Sequence, residues 1–203
     1  MFIRSERLFL RPAWAEDWAD VLAAIDDFAV VRNLAHAPWP YRAEDAQWFV
    51  SRPQDLRHPD FLITLPGADG AQVIGCAGMA PGDNGTAEIG YWITPSHWGR
   101  GYATEAARAV LSVARALGHD RIEAGHFLDN PASGRVLRKL GFTATGEHRP
   151  RQSAGRGTMV TSVIYETRLR GAGNGDDDGG DGIGGGGGDG VGGGDHEPMR
   201  RAA

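Results

Sequence analysis

Between Glu88 and Ala107 the chain passes from an apolar strand pattern through a pair of glycines into an alanine-rich helix, and few folds accommodate that order. Gly99 and Gly101 flank a single residue, and glycine permits the tight turn that brings backbone N–H groups close to a ligand. The helix that follows directs the positive end of its dipole at the same place. The segment therefore predicts an anion site that suits a phosphate or a pyrophosphate.

Two common phosphate-binding motifs do not fit this segment. A Walker-type loop needs Gly-Lys-Ser/Thr, and the only lysine of the chain is Lys139, in another predicted helix. A dinucleotide fingerprint needs a third small residue where this chain has Thr104. That motif also has a tighter turn than the five residues, 94–98, that separate the predicted strand from Gly99.

The glycine pair lies within Trp98-Gly99-Arg100-Gly101-Tyr102-Ala103. This hexapeptide resembles the coenzyme A loop of the GNAT N-acetyltransferases, whose signature is Gln/Arg-x-x-Gly-x-Gly/Ala. Trp98 replaces the usual Gln or Arg, as is common in the branch that acetylates ribosomal-protein N-termini. Further segments typical of the family lie around the loop in the expected order: 7–12, 86–93, 129–133 and 139–142.

The resemblance spans roughly residues 2–169 and implies both a fold and a reaction. The fold is α+β, with a central mixed, mostly antiparallel sheet flanked by helices and a splayed strand pair that forms the acetyl-CoA cleft. The reaction moves an acetyl group directly from the acetyl-CoA thioester to a primary amine, on a protein N-terminus or a small molecule. Acetyl-CoA is then a co-substrate, and no metal is expected.

The resemblance also assigns residues that bind the cofactor. Backbone groups on the strand before the loop take the pantetheine amides, the loop takes the pyrophosphate, and Asn130 bonds the pantetheine arm. The strand residues are Tyr91, Trp92 and Ile93, and the loop residues are Gly99, Arg100, Gly101, Tyr102, Ala103 and Thr104. For Arg100 a plain solvent-exposed arginine is the other interpretation.

A thioester is already activated, so the enzyme must mainly position a neutral amine and polarise the carbonyl. An α-amine has a pKa near 8, and a weak general base is enough for it. Glu88 is our candidate base, because strand alternation places it on the face of Gly90 and Trp92. A fold-stabilising ion pair is the other interpretation of Glu88. Glu147 is the second candidate base. Some relatives use a glutamate on the strand before Asn130, and this chain has Gly125 at that position.

Asn130 begins a predicted helix, where an asparagine N-cap followed by Pro131 is favourable in itself. By the resemblance, Ser133 reaches the thioester sulfur. Many GNAT enzymes place a tyrosine seven residues after the asparagine to protonate the leaving thiolate, and this chain has Leu137 there. Ser133 is therefore the remaining candidate acid, although a thiolate can also leave without one.

Histidine and aromatic residues give weaker signals. His126 alternates with Ile122 and Ala124, which predicts a satisfied buried histidine, with proton handling near Asn130 as the other interpretation. An N-terminal cluster falls where relatives build one wall of the acceptor cleft, although core packing explains aromatics more often. Its members are Trp14, His36, Trp39 and Tyr41.

Composition divides the chain in two. Residues 171–203 contain 15 glycines in 33 residues, which predicts a disordered Gly/Asp-rich tail. One tail segment, 184–192, matches a calcium-binding nonapeptide, but a single copy has no neighbouring repeat to stack on. The remaining 1–170 form one predicted GNAT domain with 19 basic and 19 acidic residues, so no basic field favours nucleic acid.

The single cysteine, Cys76, cannot form an internal disulfide, and its apolar context does not suggest a nucleophile. The first residues lack the apolar core of a signal peptide, and no apolar run approaches the roughly 20 residues that cross a bilayer. We therefore expect a cytoplasmic enzyme without a membrane partner.

Periodicity and turn signals predict the elements along the chain. Helices are expected at 16–25, 43–50, 104–117 and 131–140, and strands at 7–11, 61–65, 73–80, 87–93, 122–127, 142–149 and 158–168.

Two other functions stay open at this point. A non-catalytic acyl-CoA-binding module is one, because Gly125 and Leu137 stand where commoner catalytic residues lie. A protein that binds another nucleotide through the glycine pair is the second.

Overall fold

The computed structural model describes residues 1–68, 70–82 and 85–169. The glycine-rich segment 171–203 lies outside the described residues, so its predicted disorder and the domain boundary near residue 170 stay predictions. None of the described helices is long and apolar enough to span a bilayer.

Eight strands form one sheet within the described residues. They are β1 (Ile3–Arg4), β2 (Phe9–Arg11), β3 (Asp60–Gly67), β4 (Gly70–Pro81), β5 (Ala87–Ile93), β6 (Arg121–Phe127), β7 (Thr143–Ser153) and β8 (Thr158–Arg168). Their order across the sheet is β1-β2-β3-β4-β5-β6-β8-β7. Neighbours are antiparallel except for β5 and β6. The predicted mixed, mostly antiparallel α+β fold is confirmed.

Helices cover both faces of this sheet. They are α1 (Trp18–Ile25), α2 (Phe28–Val31), α3 (Ala43–Ser51), α4 (Tyr102–Ala116) and α5 (Pro131–Lys139). α4 connects β5 to β6, because parallel neighbours need a crossover connection. Its Ala106 and Val110, four residues apart, are fully buried with Ile63, Ile122 and Leu137 in one core cluster.

A second core cluster fills the opposite face. Val21 of α1 and Phe49 of α3 are buried there with Leu62 and Trp92 from the sheet. On β5 the alternation is regular, since Ile89 belongs to the first cluster and Trp92 to the second. The odd and even residues of β5 therefore face different helix layers.

Several elements differ from the prediction, among them β1, α2 and β7. β1 and α2 were not predicted, because two and four residues are too short to show a period. β7 continues past its predicted end at Arg149 and pairs with β8 as far as Ser153. Pro150 is accommodated because β7 is an edge strand of the sheet.

Candidate active site

The sheet opens into a cleft between β5 and β6. The two strands pair only at Ala87–Ile122 and Glu88–Glu123 within the described residues. From Ile89 to Ile93, β5 pairs with β4 on one side and leaves its other edge without a strand partner in that part of the chain. The cleft has a volume of about 1070 Å³. An extended ligand with amide groups can bind such an edge as an added strand does.

The predicted anion loop forms part of the cleft wall. Gly99 and Gly101 have φ angles of +74° and +83°, a region that favours glycine. α4 starts directly after them, and the first N–H groups of a helix have no partner inside the helix. Gly99, Gly101 and residues 102–104 line the cleft. Arg100 is exposed and lies outside the lining, so its predicted phosphate contact stays a prediction.

An N-terminal arginine holds this loop in place. The Arg7 guanidinium donates to the Arg100 carbonyl at 3.0 Å and to the Glu105 carboxylate at 2.8 Å. Glu105 also accepts from the Ser5 hydroxyl and from the Arg7 backbone N–H, both at 2.7 Å. Burial raises the pKa of Glu105, but these hydrogen bonds together with the charge of Arg7 lower it by more. The net shift of the pKa is therefore downward. The loop is therefore tied to the β1–β2 turn, a contact that the sequence did not reveal.

Trp98 has a structural role at the start of the loop. Its indole N–H donates to the Ile93 carbonyl at 2.5 Å, so the side chain connects the loop to the last residue of β5. Trp98 is also part of the cleft lining, and 48% of it is exposed. The indole hydrogen bond therefore holds in place the backbone just before Gly99 and Gly101.

The side chain of Tyr91 was not expected to matter. It lies on the α5 side of β5, and its hydroxyl is 3.0 Å from the Ser133 Oγ and 3.3 Å from the Ser133 carbonyl oxygen. Trp92, its neighbour, packs into the core on the opposite face. Tyr91, a predicted pantetheine contact, and Ser133, the candidate at the thioester sulfur, both line the cleft. The alternation of β5 indicates the face of Tyr91 but not this partner.

Asn130 forms the N-cap of α5, as the sequence predicts. Its side-chain oxygen accepts from the Ser133 N–H at 3.4 Å, and Pro131 is the first helical residue. Asn130 lines the cleft as well. Capping therefore places Asn130 and Ser133 together at the end of β6.

Glu88 lines the cleft and is also ion-paired, so the ion pair is observed and its role as a base stays a prediction. Its carboxylate bonds the Arg151 guanidinium, and the side chains are 23% and 26% exposed. His36 lines the same wall. Partial desolvation lowers the pKa of His36, while Glu88 raises it and Arg151 lowers it. A carboxylate, a guanidinium and an imidazole thus share one part of the cleft.

The structure explains two departures from the family pattern. A Cβ added to Gly125 would lie 2.9 Å from the Ser162 Oγ and 3.6 Å from the Arg151 Cζ, so other side chains occupy the space that a glutamate needs. Leu137 is 1% exposed and packs in the core. The second candidate base, Glu147, lies outside the cleft lining, and its hydrogen bonds to Arg149 lower its pKa.

His126 is only partly satisfied, which corrects the preferred interpretation. The ring is 9% exposed, and its Nδ1 is 2.9 Å from the Phe127 carbonyl oxygen. The Nε2 is buried without a hydrogen-bond partner in the described residues. His126 also lines the cleft.

A charged cluster lies next to residues of the cleft wall in sequence and outside the lining itself. Asp129 accepts from Arg32 at 2.5 Å and from Arg156 at 2.9 and 3.0 Å. The Arg156 Nε donates to the Arg32 carbonyl at 2.7 Å. These bonds connect the loop between β7 and β8 to the segment after α2, which forms one wall of the cleft.

Of the predicted aromatic cluster, only His36 reaches the cleft lining. Trp39 is 42% exposed and packs against Phe28 at 5.4 Å between ring centroids. Tyr41 is buried in the core below α1 and α3, and the Arg11 guanidinium lies over the exposed Trp14. For Trp14, Trp39 and Tyr41, packing is therefore the interpretation that the contacts support, and only His36 has the place in the cleft wall that the resemblance suggested.

Comparison with known proteins identifies the family. Residues 7–143 match the family model described as the acetyltransferase (GNAT) domain. The uncharacterised N-acetyltransferase p20 of Bacillus licheniformis is 33% identical over 174 residues, which cover 82% of this chain and 95% of that protein. The uncharacterised N-acetyltransferase YoaA of Bacillus subtilis (strain 168) is 51% identical over 61 residues, which cover 30% of this chain and 34% of that protein.

Solved structures agree with the fold. An acetyltransferase of the GNAT family from Bacillus anthracis has a TM-score of 0.70 and 27% identity, covering 83% of this chain and 98% of that chain. RimL, a ribosomal L7/L12 α-N-protein acetyltransferase solved with coenzyme A, has a TM-score of 0.66 and 21% identity, covering 83% of this chain and 98% of that chain. At that identity the likeness to RimL is one of fold. On the family match and the p20 relationship, this chain belongs to the GNAT family of N-acetyltransferases.

Proposed function

We propose that this protein transfers an acetyl group from acetyl-CoA to a primary amine, on a peptide N-terminus or a small molecule. One observation carries the proposal: the anion loop, the free edge of β5 and the Glu88 carboxylate line the same cleft. The loop suits the pyrophosphate, and residues 91–93 of β5 suit the pantetheine amides. Coenzyme A in the RimL structure supports this ligand.

Glu88 would act on the acceptor. A carboxylate in the cleft attracts the ammonium form of the amine and can take its proton directly or through a water molecule. Arg151 bonds one carboxylate oxygen, Oε1, and the second oxygen, Oε2, would take the proton. Backbone N–H groups on the free edge of β5 would stabilise negative charge on the thioester oxygen.

The acetyl group would pass directly to the amine. Cys76, the one cysteine, is buried on the face of α1 and α3 and lies outside the cleft lining. Burial raises the pKa of its thiol, with a smaller contribution from Asp60, and a thiol is a much weaker nucleophile than a thiolate. An acyl-enzyme on Cys76 is therefore disfavoured.

Amine-dependent thiol release tests the proposal. Purified full-length protein is incubated with acetyl-CoA and a panel of peptides, amino acids, polyamines and aminoglycosides, and free thiol is compared with acetylated amine by mass spectrometry. We expect equal amounts of both with at least one class. Binding of acetyl-CoA without release for any amine would favour the non-catalytic binding module instead.

The Arg7 contact yields a prediction about cofactor affinity. Arg7→Met removes the bonds to Arg100 and Glu105 and is expected to raise the KM for acetyl-CoA about tenfold, since bonds to charged groups are worth about 1.5 kcal/mol. The kcat should change little, because Arg7 lies outside the cleft lining. Initial rates at saturating amine measure both constants. Arg4→Met changes an exposed arginine of the same N-terminal segment and serves as the control; an equal rise there would contradict the role of Arg7.

We also propose that residues 1–170 carry the whole activity. The glycine-rich composition of 171–203 leaves almost nothing apolar to bury, and the cleft is built from residues before 163. A truncated protein of 1–170 is expected to keep kcat and KM within about twofold of the full chain, a margin set by the small effects of changes far from packed features. A larger loss in steady-state kinetics would assign the tail a role in catalysis.

A further inference from the structure

The Arg151 guanidinium lies in the cleft with most of its hydrogen-bond donors unused. The Arg151 side chain is 26% exposed and lines the cleft together with Glu88. The bond from its Nη1 to the Glu88 Oε1 is the only hydrogen bond that the guanidinium makes within the described residues. A guanidinium has five N–H donors, so four have no partner among these residues. A carboxylate suits such a group, because it accepts two parallel hydrogen bonds from a guanidinium.

The position of this guanidinium depends on a glycine. Arg151 belongs to β7 and Glu88 to β5, and β8 and β6 lie between these strands in the sheet. A Cβ added to Gly125 of β6 would lie 3.6 Å from the Arg151 Cζ, so the guanidinium lies over this residue. A longer side chain at position 125 would obstruct the guanidinium. Glycine therefore leaves the space in which the two charges meet.

The charges around the cleft restrict the class of acceptor. Glu88 is the one acidic residue in the described part of the lining, against Arg135, Lys139 and Arg151. Arg135 and Lys139 belong to α5, which contacts α4 on the opposite face of the sheet from Glu88. Burial lowers the pKa of His36, so its ring adds no charge at neutral pH. Polyamines and aminoglycosides carry several ammonium groups, and one carboxylate beside a guanidinium does not offset their charge.

An α-amino acid matches the charges at the acceptor end. In its zwitterion the ammonium and carboxylate groups are separated by one carbon, and the opposite charges of Glu88 and Arg151 are in direct contact. The zwitterion can therefore lie across the pair with its ammonium group at Glu88 and its carboxylate at Arg151. A peptide N-terminus has a neutral amide in place of that carboxylate. Apolar side chains of the lining suit an uncharged amino-acid side chain, among them Val30, Leu34 and Phe127.

We propose that the acceptor is a free α-amino acid with an uncharged side chain, whose ammonium group binds Glu88 and whose carboxylate binds the Arg151 guanidinium. This assignment rests on the proposed acetyl transfer. The ammonium group gives one proton to Glu88 and loses a second as the bond from nitrogen to the acetyl carbon forms. The bond from that carbon to sulfur breaks with its electron pair on sulfur, which takes up one proton. The products are an N-acetyl amino acid, coenzyme A and one released proton.

Paired acceptors test the carboxylate contact. The twenty standard L-amino acids and their amides are compared by thiol release, and kcat/KM is measured for each pair with wild-type protein and with Arg151→Met. The amide lacks the negative charge and also has a less basic amine, but the difference in basicity is the same for both proteins. For the preferred amino acid we expect the acid-to-amide ratio of kcat/KM to fall about tenfold in Arg151→Met, as for charge-assisted hydrogen bonds at a partly exposed group.

Arg149→Met is the matched control. Arg149 lies two residues before Arg151 on the same face of β7, pairs with Glu147, and is outside the cleft lining. The acid-to-amide ratio should stay within twofold of wild type in this variant. Because the ratio compares two substrates in one protein sample, it does not depend on the fraction of the protein that is folded.

Product binding gives a second readout that needs neither a variant nor turnover. The N-acetyl form of an amino acid and that of its amide contain the same uncharged acetamide and differ only at the carboxyl end. In calorimetric titrations of wild-type protein saturated with coenzyme A, we expect the N-acetyl form of the preferred amino acid to bind about tenfold more tightly than that of its amide.

The outcomes separate this assignment from the proposed function. An unchanged acid-to-amide ratio in Arg151→Met, an equal fall in Arg149→Met, or equal affinities for the two N-acetyl compounds would overturn the carboxylate contact and leave acetyl transfer standing. Transfer to peptides or polyamines without transfer to any free amino acid would do the same. Absence of thiol release with every amine would remove the proposed function and this assignment together.

Discussion

Replacing Glu88 with Gln is expected to lower kcat about 100-fold, within the range found for loss of a general base, and to leave acetyl-CoA affinity unchanged. Glutamine keeps the size of the side chain and a hydrogen-bond acceptor for Arg151, so the cleft wall is retained. It cannot take a proton from the amine. Steady-state kinetics with a saturating acceptor, and calorimetric titration with acetyl-CoA, measure the two effects separately.

Glu147→Gln is the matched control for this change. Glu147 is also a carboxylate paired with an arginine, but it lies on β7 and outside the cleft lining. Its substitution should leave kcat within about twofold, the usual size of surface effects. If Glu147→Gln lost activity while Glu88→Gln kept it, the base would be assigned to the wrong strand.

The second large effect is expected at the anion loop. Gly101→Val places a β-branched residue at φ +83°, and such a conformation costs about 2 kcal/mol for a residue other than glycine. In the absence of ligand, the loop relieves this strain by changing its conformation. To bind the pyrophosphate, the loop must return to the strained conformation. Affinity for acetyl-CoA should therefore fall by roughly 30-fold, measured by calorimetric titration.

Gly118→Val separates strain from binding. Gly118 follows α4 at φ +80°, and a Cβ there meets nothing within 4 Å. Gly118→Val should lose about 2 kcal/mol of unfolding free energy in urea titrations, whereas Gly101→Val should lose less, because its free loop relaxes. Only Gly101→Val should lose acetyl-CoA affinity. Equal affinities in the two variants would contradict the assignment of the pyrophosphate to this loop.

Much of the fold could be predicted from the sequence because its signals are local. Alternation gives β5 over Ala87–Ile93 as predicted, and the helical period with Gly118 after it gives α4 to within two residues. The cap at Asn130 gives the start of α5. These features depend on neighbours within a few positions, where pattern and propensity act.

The site was harder to predict because its contacts join distant segments. Glu105 binds Arg7 across 98 residues, and Glu88 pairs with Arg151 across 63. Neither pairing leaves a periodic signal. Strand alternation predicts the face of the sheet on which the Tyr91 and His126 side chains lie. It does not predict their neighbours, which depend on how α5 packs on the sheet. The N-terminal cluster of Trp14, His36, Trp39 and Tyr41 shows that residues close in sequence can also lie apart, since only His36 lines the cleft.

Thermal unfolding of full-length protein with acetyl-CoA, NAD or ATP, each in a separate sample, tests the cofactor assignment most directly. A ligand at about 100 times its Kd adds roughly 2.7 kcal/mol to the unfolding free energy, equivalent to a rise of about 5 to 10 °C in Tm for a domain of this size. We predict that rise with acetyl-CoA and none with NAD or ATP. An unchanged Tm with acetyl-CoA, or a rise with NAD or ATP instead, would contradict the account.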